Sequence, residues 1–156
     1  MANHLDPVYN WEFSIGTAVS GDTYTYSPFC AGIESITENI NSQNKQYFFL
    51  CQDGCATNEV TGIAPQYTVS GRRIYGDAAQ EYVCGLKYLF GKERKTSFKM
   101  EHVDYSGSTP MKTTITCGCT ILDISDVGGS TTDDVPFSCT IALDGKPTVT
   151  TEAVTQ

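Results

Sequence analysis

The sequence has no long apolar run. Its longest, YFFLC at residues 47–51, is far below the ~18 residues that a membrane-crossing helix needs. The opening stretch, MANHLDPVYNWEF, has no basic segment followed by an apolar one, so no secretory leader is expected, and synthesis in a cytoplasm is. Histidine is scarce: His4 and His102 lie far apart in sequence and offer no base–nucleophile pairing. No GxSxG, HExxH or phosphate-loop motif is present either, so an enzyme is not expected. Basic residues are outnumbered ten to eighteen, giving a net charge of −8. Binding duplex DNA needs a basic footprint, so the protein as a whole is not a duplex binder. One tryptophan, Trp11, is too little for a sugar-binding platform and reads as a core or interface aromatic.

Disulfides are not expected either. Seven cysteines are an odd number, and without a leader they do not make a disulfide framework. Cys51 and Cys55 have CxxxC spacing, and Cys117 and Cys119 have CxC spacing. Neither is the CxxC knuckle of structural zinc sites. Cys117 and Cys119 fall in line with Ile115 and Ile121 on one strand face and read as small buried hydrophobes. Asp133 and Asp134, with Asp126, form an acidic loop that reads as solvated, not as a hard-cation site. No metal or cofactor is expected.

What is present is a folded, threonine-rich chain. The composition, 40% hydrophobic and 18% charged over 156 residues, suits one globular domain spanning 1–156, not a disordered segment. Twenty threonines favour pleated surfaces. From 111 to 121 the odd positions are Met111, Thr113, Ile115, Cys117, Cys119 and Ile121, with Lys112, Thr114, Thr116, Gly118 and Thr120 between them. From 137 to 144, Phe137, Cys139, Ile141 and Leu143 alternate with Ser138, Thr140, Ala142 and Asp144. Both patterns predict half-buried antiparallel strands, joined through the turn-rich VGGSTTDD at 127–134. Residues 9–15, 33–40, 67–74 and 98–103 alternate as well. The turn chemistry of DGKP at 144–147 predicts the end of the last strand, with a polar tail over 148–156.

One helix is expected over about 77–90. Asp77 can cap it, and Gln80 completes a capping-box-like pair. Tyr82, Val83, Leu86, Leu89 and Phe90 form an apolar stripe. Gly91 supplies the stop, and Lys87 and Lys92 suit the negative end of the helix. The expected fold is mainly β (α+β): an antiparallel sandwich or partial barrel with one packed helix and a long extended loop over about 41–58. In that loop GlnAspGly at 52–54 reads as a turn. Phe48 and Phe49 are adjacent in an extended segment, so their side chains point oppositely and at least one is exposed in a free monomer.

Charge is blocked along the chain. Residues 1–71 carry net −6, residues 72–99 net +4 (with Arg72, Arg73, Lys87, Lys92, Arg94, Lys95 and Lys99), and residues 100–156 net −6. Such a middle segment suits either a contact between copies or a solvated basic face.

Three stretches carry a family resemblance: IESITENINSQNKQYFFLCQDG (33–54), QYTVSGRRIYGDAAQEYVCGLKYLFGKERKTSFKMEHVD (66–104) and GGSTTDDVPFSCTIALDGKPTVTTE (128–152). In order and spacing they resemble the tail tube (major tail) proteins of bacteriophages, chiefly those with long non-contractile tails. The resemblance implies a structural subunit whose hexameric rings stack into a hollow tube that conducts DNA from capsid to host. It implies a place in the virion tail, synthesis in the host bacterial cytoplasm, no membrane contact, and tape measure, tail terminator and distal tail proteins as partners. The 41–58 loop, with Tyr47, Phe48, Phe49 and Asp53, becomes the expected contact between rings. The wet strand faces of Thr114, Thr116, Thr120, Ser138, Thr140 and Asp144 become the expected lumen wall, offering hydroxyls and negative charge and no aromatic for bases to stack on. Residues 72–99 are expected to turn outward or toward a neighbour. The alternatives are a related part of the same fold (a tail terminator, or the tube of a contractile tail or injection system) or a cell-surface, carbohydrate-binding β-sandwich.

Overall fold

The computed structural model describes residues 5–154; His4 and the last two residues of the expected polar tail lie outside the described residues. Nine strands are formed there: β1 Trp11–Ser20, β2 Thr23–Pro28, β3 Ile33–Asn39, β4 Gln43–Phe48, β5 Ala56–Gly62, β6 Gln66–Arg72, β7 Lys95–Asp104, β8 Met111–Ser125 and β9 Pro136–Ala153. One α-helix, α1, spans Ala78–Gly85. Seven strands make one antiparallel sheet in the order β2-β1-β7-β8-β9-β6-β3, and β4 and β5 pair as a separate ribbon.

The connection between the sheet's two edges dictates its shape. β2 and β3 are the opposite edge strands, yet only residues 29–32 join them. Such a link spans at most roughly 15–18 Å, whereas the edges of a flat seven-stranded sheet lie about 29 Å apart. The sheet therefore curls into a partial barrel. Phe98 of β7 and Tyr67 of β6, three strands apart in the sheet, bring their rings to 5.3 Å. No ladder joins β2 to β3 among the described residues, so a seam remains. Near it Gly71 makes a close backbone approach, since a Cβ there would stand 2.1 Å from the Gly32 carbonyl oxygen.

The interior is filled from the alternating positions. Ile15, Val69, Phe98, Cys119, Ile121, Phe137, Cys139 and Ile141 are buried together, with Ala79 and Val83 of α1, and Leu86 just past its end, packed onto them. Cys117 is buried too, while Met111, at the start of β8, is exposed.

Several sequence-based expectations change. The helix begins as expected, with the Asp77 carboxylate accepting from the Gln80 backbone N–H at 3.0 Å, but it ends at Gly85, not 90. Beyond it the chain tightens, Leu86 donating to Val83 O and Leu89 to Leu86 O. The Arg94 guanidinium takes the Lys87 and Leu89 carbonyls that a longer helix would have used. Leu89 and Phe90 consequently leave the apolar stripe and are exposed. The capping box is not formed: Glu81 accepts from Gly76 N, and the Gln80 side chain serves elsewhere. Lys87 pairs with Asp126 at 2.7 Å, so that carboxylate of the expected acidic loop already has a cationic partner.

The expected loop over 41–58 is an ordered two-stranded ribbon reaching Gly62. β2, on the sheet edge, was not foreseen. The DGKP turn does not end the last strand either, because β9 runs on and pairs Thr148 with Thr116 and Ala153 with Met111. The turn chemistry instead makes a bulge. Gly145, at φ +84°, lets β9 loop out residues between the pairs Asp144–Gly118 and Thr148–Thr116 before resuming.

Candidate assembly surfaces

The ribbon leaves the barrel as a continuation of the β3–β6 pair. Asn41, in the left-handed region at φ +50°, turns the chain, and its side-chain amide donates to Ala64 O at 3.0 Å. Ala64 N donates to Ile40 O at the same junction. At the far end a short 3-10 turn, Leu50–Gln52, leads into Asp53, also left-handed at φ +48°. The Cys55 N–H donates to Gln52 O and the Thr57 hydroxyl to Gln52 Oε1, closing the tip.

Pleating sorts the tip side chains. Tyr47 and Phe49 share one face, with stacked rings at 6.0 Å, and Phe48 points to the other. All three are exposed, Phe48 at 68% and Phe49 at 51%. Leu50 beside them is fully exposed. The sequence reading missed Leu50, although the YFFLC run contains it. Tyr47, Phe48, Phe49 and Asp53 thus gather on one projecting tip that the chain itself does not cover.

The second surface is the barrel's outer face across β7, β8, β9 and β6. Register sets Thr114, Thr116 and Thr120 on it, opposite Glu101, Lys99 and Lys95 of β7. Ser138 and Thr140 stand opposite Ser70 and Thr68 of β6, and Asp144 lies opposite Gly118. The six expected wall residues therefore share one face. The basic segment 72–99, expected to turn outward or toward a neighbour, does not stand apart from this face as a block: β7 is part of the sheet, so Lys95 and Lys99 stand among the threonines. Lys95 Nζ lies 2.9 Å from Asp144 Oδ2, and the Thr120 hydroxyl donates to the same oxygen at 2.7 Å. The Lys95 hydrogen bond, partly opposed by burial and helped by Thr120, holds the Asp144 carboxyl below the usual range. Glu101 receives Lys112 at 3.0 Å and Lys99 at 3.5 Å. Burial raises its carboxyl pKa, but the two lysines outweigh it and hold the group low. An aromatic, Tyr26, also stands at the edge of this face, where its hydroxyl meets Ser97 at 2.8 Å and the Lys99 ammonium lies 4.7 Å over its ring.

The third surface is the seam. An open trough of about 250 Å³ there is lined by Val8, Trp11, Phe13, Ile36, Tyr67 and Met100, with Glu38 accepting from the Tyr67 hydroxyl. Trp11 stacks on His102 at 4.7 Å, so it is an interior aromatic with one side open.

The thiols divide sharply. Cys30, Cys51 and Cys55 are exposed, and Cys117, Cys119 and Cys139 are buried. Among the described residues no three His, Cys, Asp or Glu side chains gather as a metal site. Burial pushes the Cys119 and Cys139 thiols up to about 12, which at pH 8 cuts their thiolate fraction about a thousandfold relative to a free thiol. Alkylation of the native protein is expected to modify the three exposed cysteines rapidly and Cys84 slowly, and all seven only in denaturant. Mass spectrometry checks this, and native labelling of Cys119 at the rate of Cys51 refutes it.

Neither a protein-family model nor a curated protein matches the sequence. Solved structures do match in fold. The tail of an empty gene transfer agent particle, resolved with C6 symmetry, aligns over 94% of this chain and 99% of its own, with a TM-score of 0.66 and 13% identity. The sheath/tube terminator of an extracellular contractile injection system, in its extended state, aligns over 98% and 100% (TM-score 0.60, 13% identity). The tube-terminating cap of the anti-feeding prophage aligns over 99% and 95% (TM-score 0.57, 14% identity). At such identities the likeness is one of fold, and it spans essentially the whole of each chain.

Proposed function

We propose that this chain is a structural, non-enzymatic subunit of a phage-like tail tube, closing into hexameric rings that stack into a conduit for DNA. The observation that carries the proposal is the β4–β5 ribbon, an ordered arm on a tube-type fold with an apolar tip that its own chain leaves bare. A soluble monomer gains nothing from such a tip, whereas a stacked ring buries it. The edges β2 and β3 carry unpaired backbone groups, which in a ring become joints between neighbours.

In this reading Tyr47, Phe48, Phe49 and Asp53, with Leu50, meet the adjacent ring. The face bearing Thr114, Thr116, Thr120, Ser138, Thr140 and Asp144 lines the channel. The sequence resemblance favours a long non-contractile tail, with tape measure, terminator and distal tail proteins at its ends and the virion as its location. A second reading is supported by the likeness to two tube terminators: a ring that caps a tube. An arm suited to a further stacking contact favours the polymer.

Electron microscopy of the purified protein tests both. Six-membered rings that stack into tubes are expected. Single rings that never stack make the protein a terminator, and a monodisperse monomer overturns both readings.

A further inference from the structure

The threonine face carries more positive charge than a surface shedding a polyanion should tolerate. Lys95, Lys99 and Lys112 all stand on it, and Arg72 continues it along β6. Ammonium and guanidinium groups are the side chains that grip phosphate, and repetition by every copy would turn the face into a basic track. Each of these cations, however, has a carboxylate within the same sheet. Lys95 is held by Asp144 at 2.9 Å, with Thr120 bonded to both. Lys112 and Lys99 flank Glu101 at 3.0 and 3.5 Å. Arg72 meets Glu34 at 3.2 Å. Glu152, in register with Lys112, and Glu12, in register with Glu101, add further negative charge. Four cations thus stand among five carboxylates. The one aromatic at the edge, Tyr26, has its ring beneath the Lys99 ammonium, which removes it as a stacking platform for bases.

We infer that this face is a masked cationic surface, on which Asp144 and Glu101 withhold three lysines from nucleic-acid phosphate. This rests on the reading that the face lines the tube's channel. The two carboxylates are then the residues that set the wall's selectivity against binding its cargo. The lysines serve the sheet by joining β7, β8 and β9 across their ladders, and the carboxylates keep that cross-linking from becoming adhesive. Uniformly acidic walls repel phosphate by long-range charge, which salt screens over ~8–10 Å. Masking acts at contact, where each ammonium is already paired with a carboxylate.

The test removes the masks and leaves the cations. Tubes of the Asp144→Asn/Glu101→Gln variant are incubated with fluorescent duplex and single-stranded DNA at 0.15 M salt and pelleted. They are expected to retain at least about tenfold more DNA than wild-type tubes, with retention falling steeply as salt rises, the signature of phosphate contacts. Adding Lys95→Gln, Lys99→Gln and Lys112→Gln should return retention to the wild-type level. Asp133→Asn/Asp134→Asn makes the same charge change in the exposed 127–134 loop and should leave retention unchanged. Unaltered retention in the unmasked variant, or equal gain in the loop control, overturns the inference. Elution of each variant from DNA-cellulose as unassembled protein gives the same comparison should a variant fail to polymerise. Absence of tubes in the wild type sinks the tube reading, whereas wild-type tubes with no gain on unmasking sink only the masking.

Discussion

Replacing Phe48 and Phe49 together with aspartate is expected to abolish polymerisation while leaving the isolated subunit folded. Both rings are largely in solvent in the free chain, so charging them removes little beyond the Tyr47–Phe49 stacking, and the melting temperature of the subunit should fall by no more than about 4 °C. In the assembled tube the same rings would be buried against the next ring. Full burial of an aromatic contributes about 1.5–3 kcal/mol. With Phe48 and Phe49 68% and 51% exposed beforehand, losing both weakens each contact by about 2–4 kcal/mol, or roughly thirtyfold to a thousandfold in association constant. Carboxylates left in an apolar pocket add to the loss. Sedimentation and negative-stain microscopy read the assembly, and circular dichroism reads the fold. Unfolding of the double variant assigns these rings to a core, and tubes formed at the wild-type concentration remove the ribbon from the contact.

The second large effect concerns the barrel, not the assembly. Gln80→Leu keeps the volume of the side chain and removes its polar end. That end is fully buried and holds three segments. Its amide donates to Ala31 O at 2.9 Å and Arg72 O at 3.0 Å, and its oxygen accepts from Ile74 N at 2.8 Å. Ala31 lies in the short link between the sheet's edges, while Arg72 and Ile74 bracket the end of β6. The substitution strands three backbone groups, each of which costs about 1–3 kcal/mol when buried and unpaired. With some rehydration the expected loss is about 3 kcal/mol, seen as a fall of roughly 6–12 °C in melting temperature. A loss below about 1 kcal/mol in urea unfolding would show that the link holds without this residue.

The parts of the fold that the sequence disclosed are those where one face is buried. β8 and the first half of β9 alternate because Cys117, Cys119, Ile121, Phe137, Cys139 and Ile141 must be inside and their neighbours need not be. β5, reading ATNEVTG, has both faces in solvent, so burial imposes no period on it and the ribbon looked like a loop. The second half of β9 stayed hidden because Gly and Pro serve a bulge as well as a turn, and only the partner strand distinguishes them. The helix end was misplaced because the residue that takes its last carbonyls, Arg94, lies outside the stripe that announced it. At the candidate surfaces, the tip aromatics were visible as an apolar run in a polar segment. The lysines beside the threonines were not: Lys95 meets Asp144 only through the ladders of β7, β8 and β9, and no local pattern encodes a register between distant segments.

The place of β9 in the sheet decides when the barrel can close during synthesis. It is the last strand of the sheet to be synthesised, yet it lies between β8 and β6, and β6 pairs only with β9 and β3. Until β9 emerges, the β3–β6 hairpin and the ribbon it carries have no ladder to the rest of the sheet. A chain cut before β9 therefore carries its apolar tip on an arm that no ladder ties to β8.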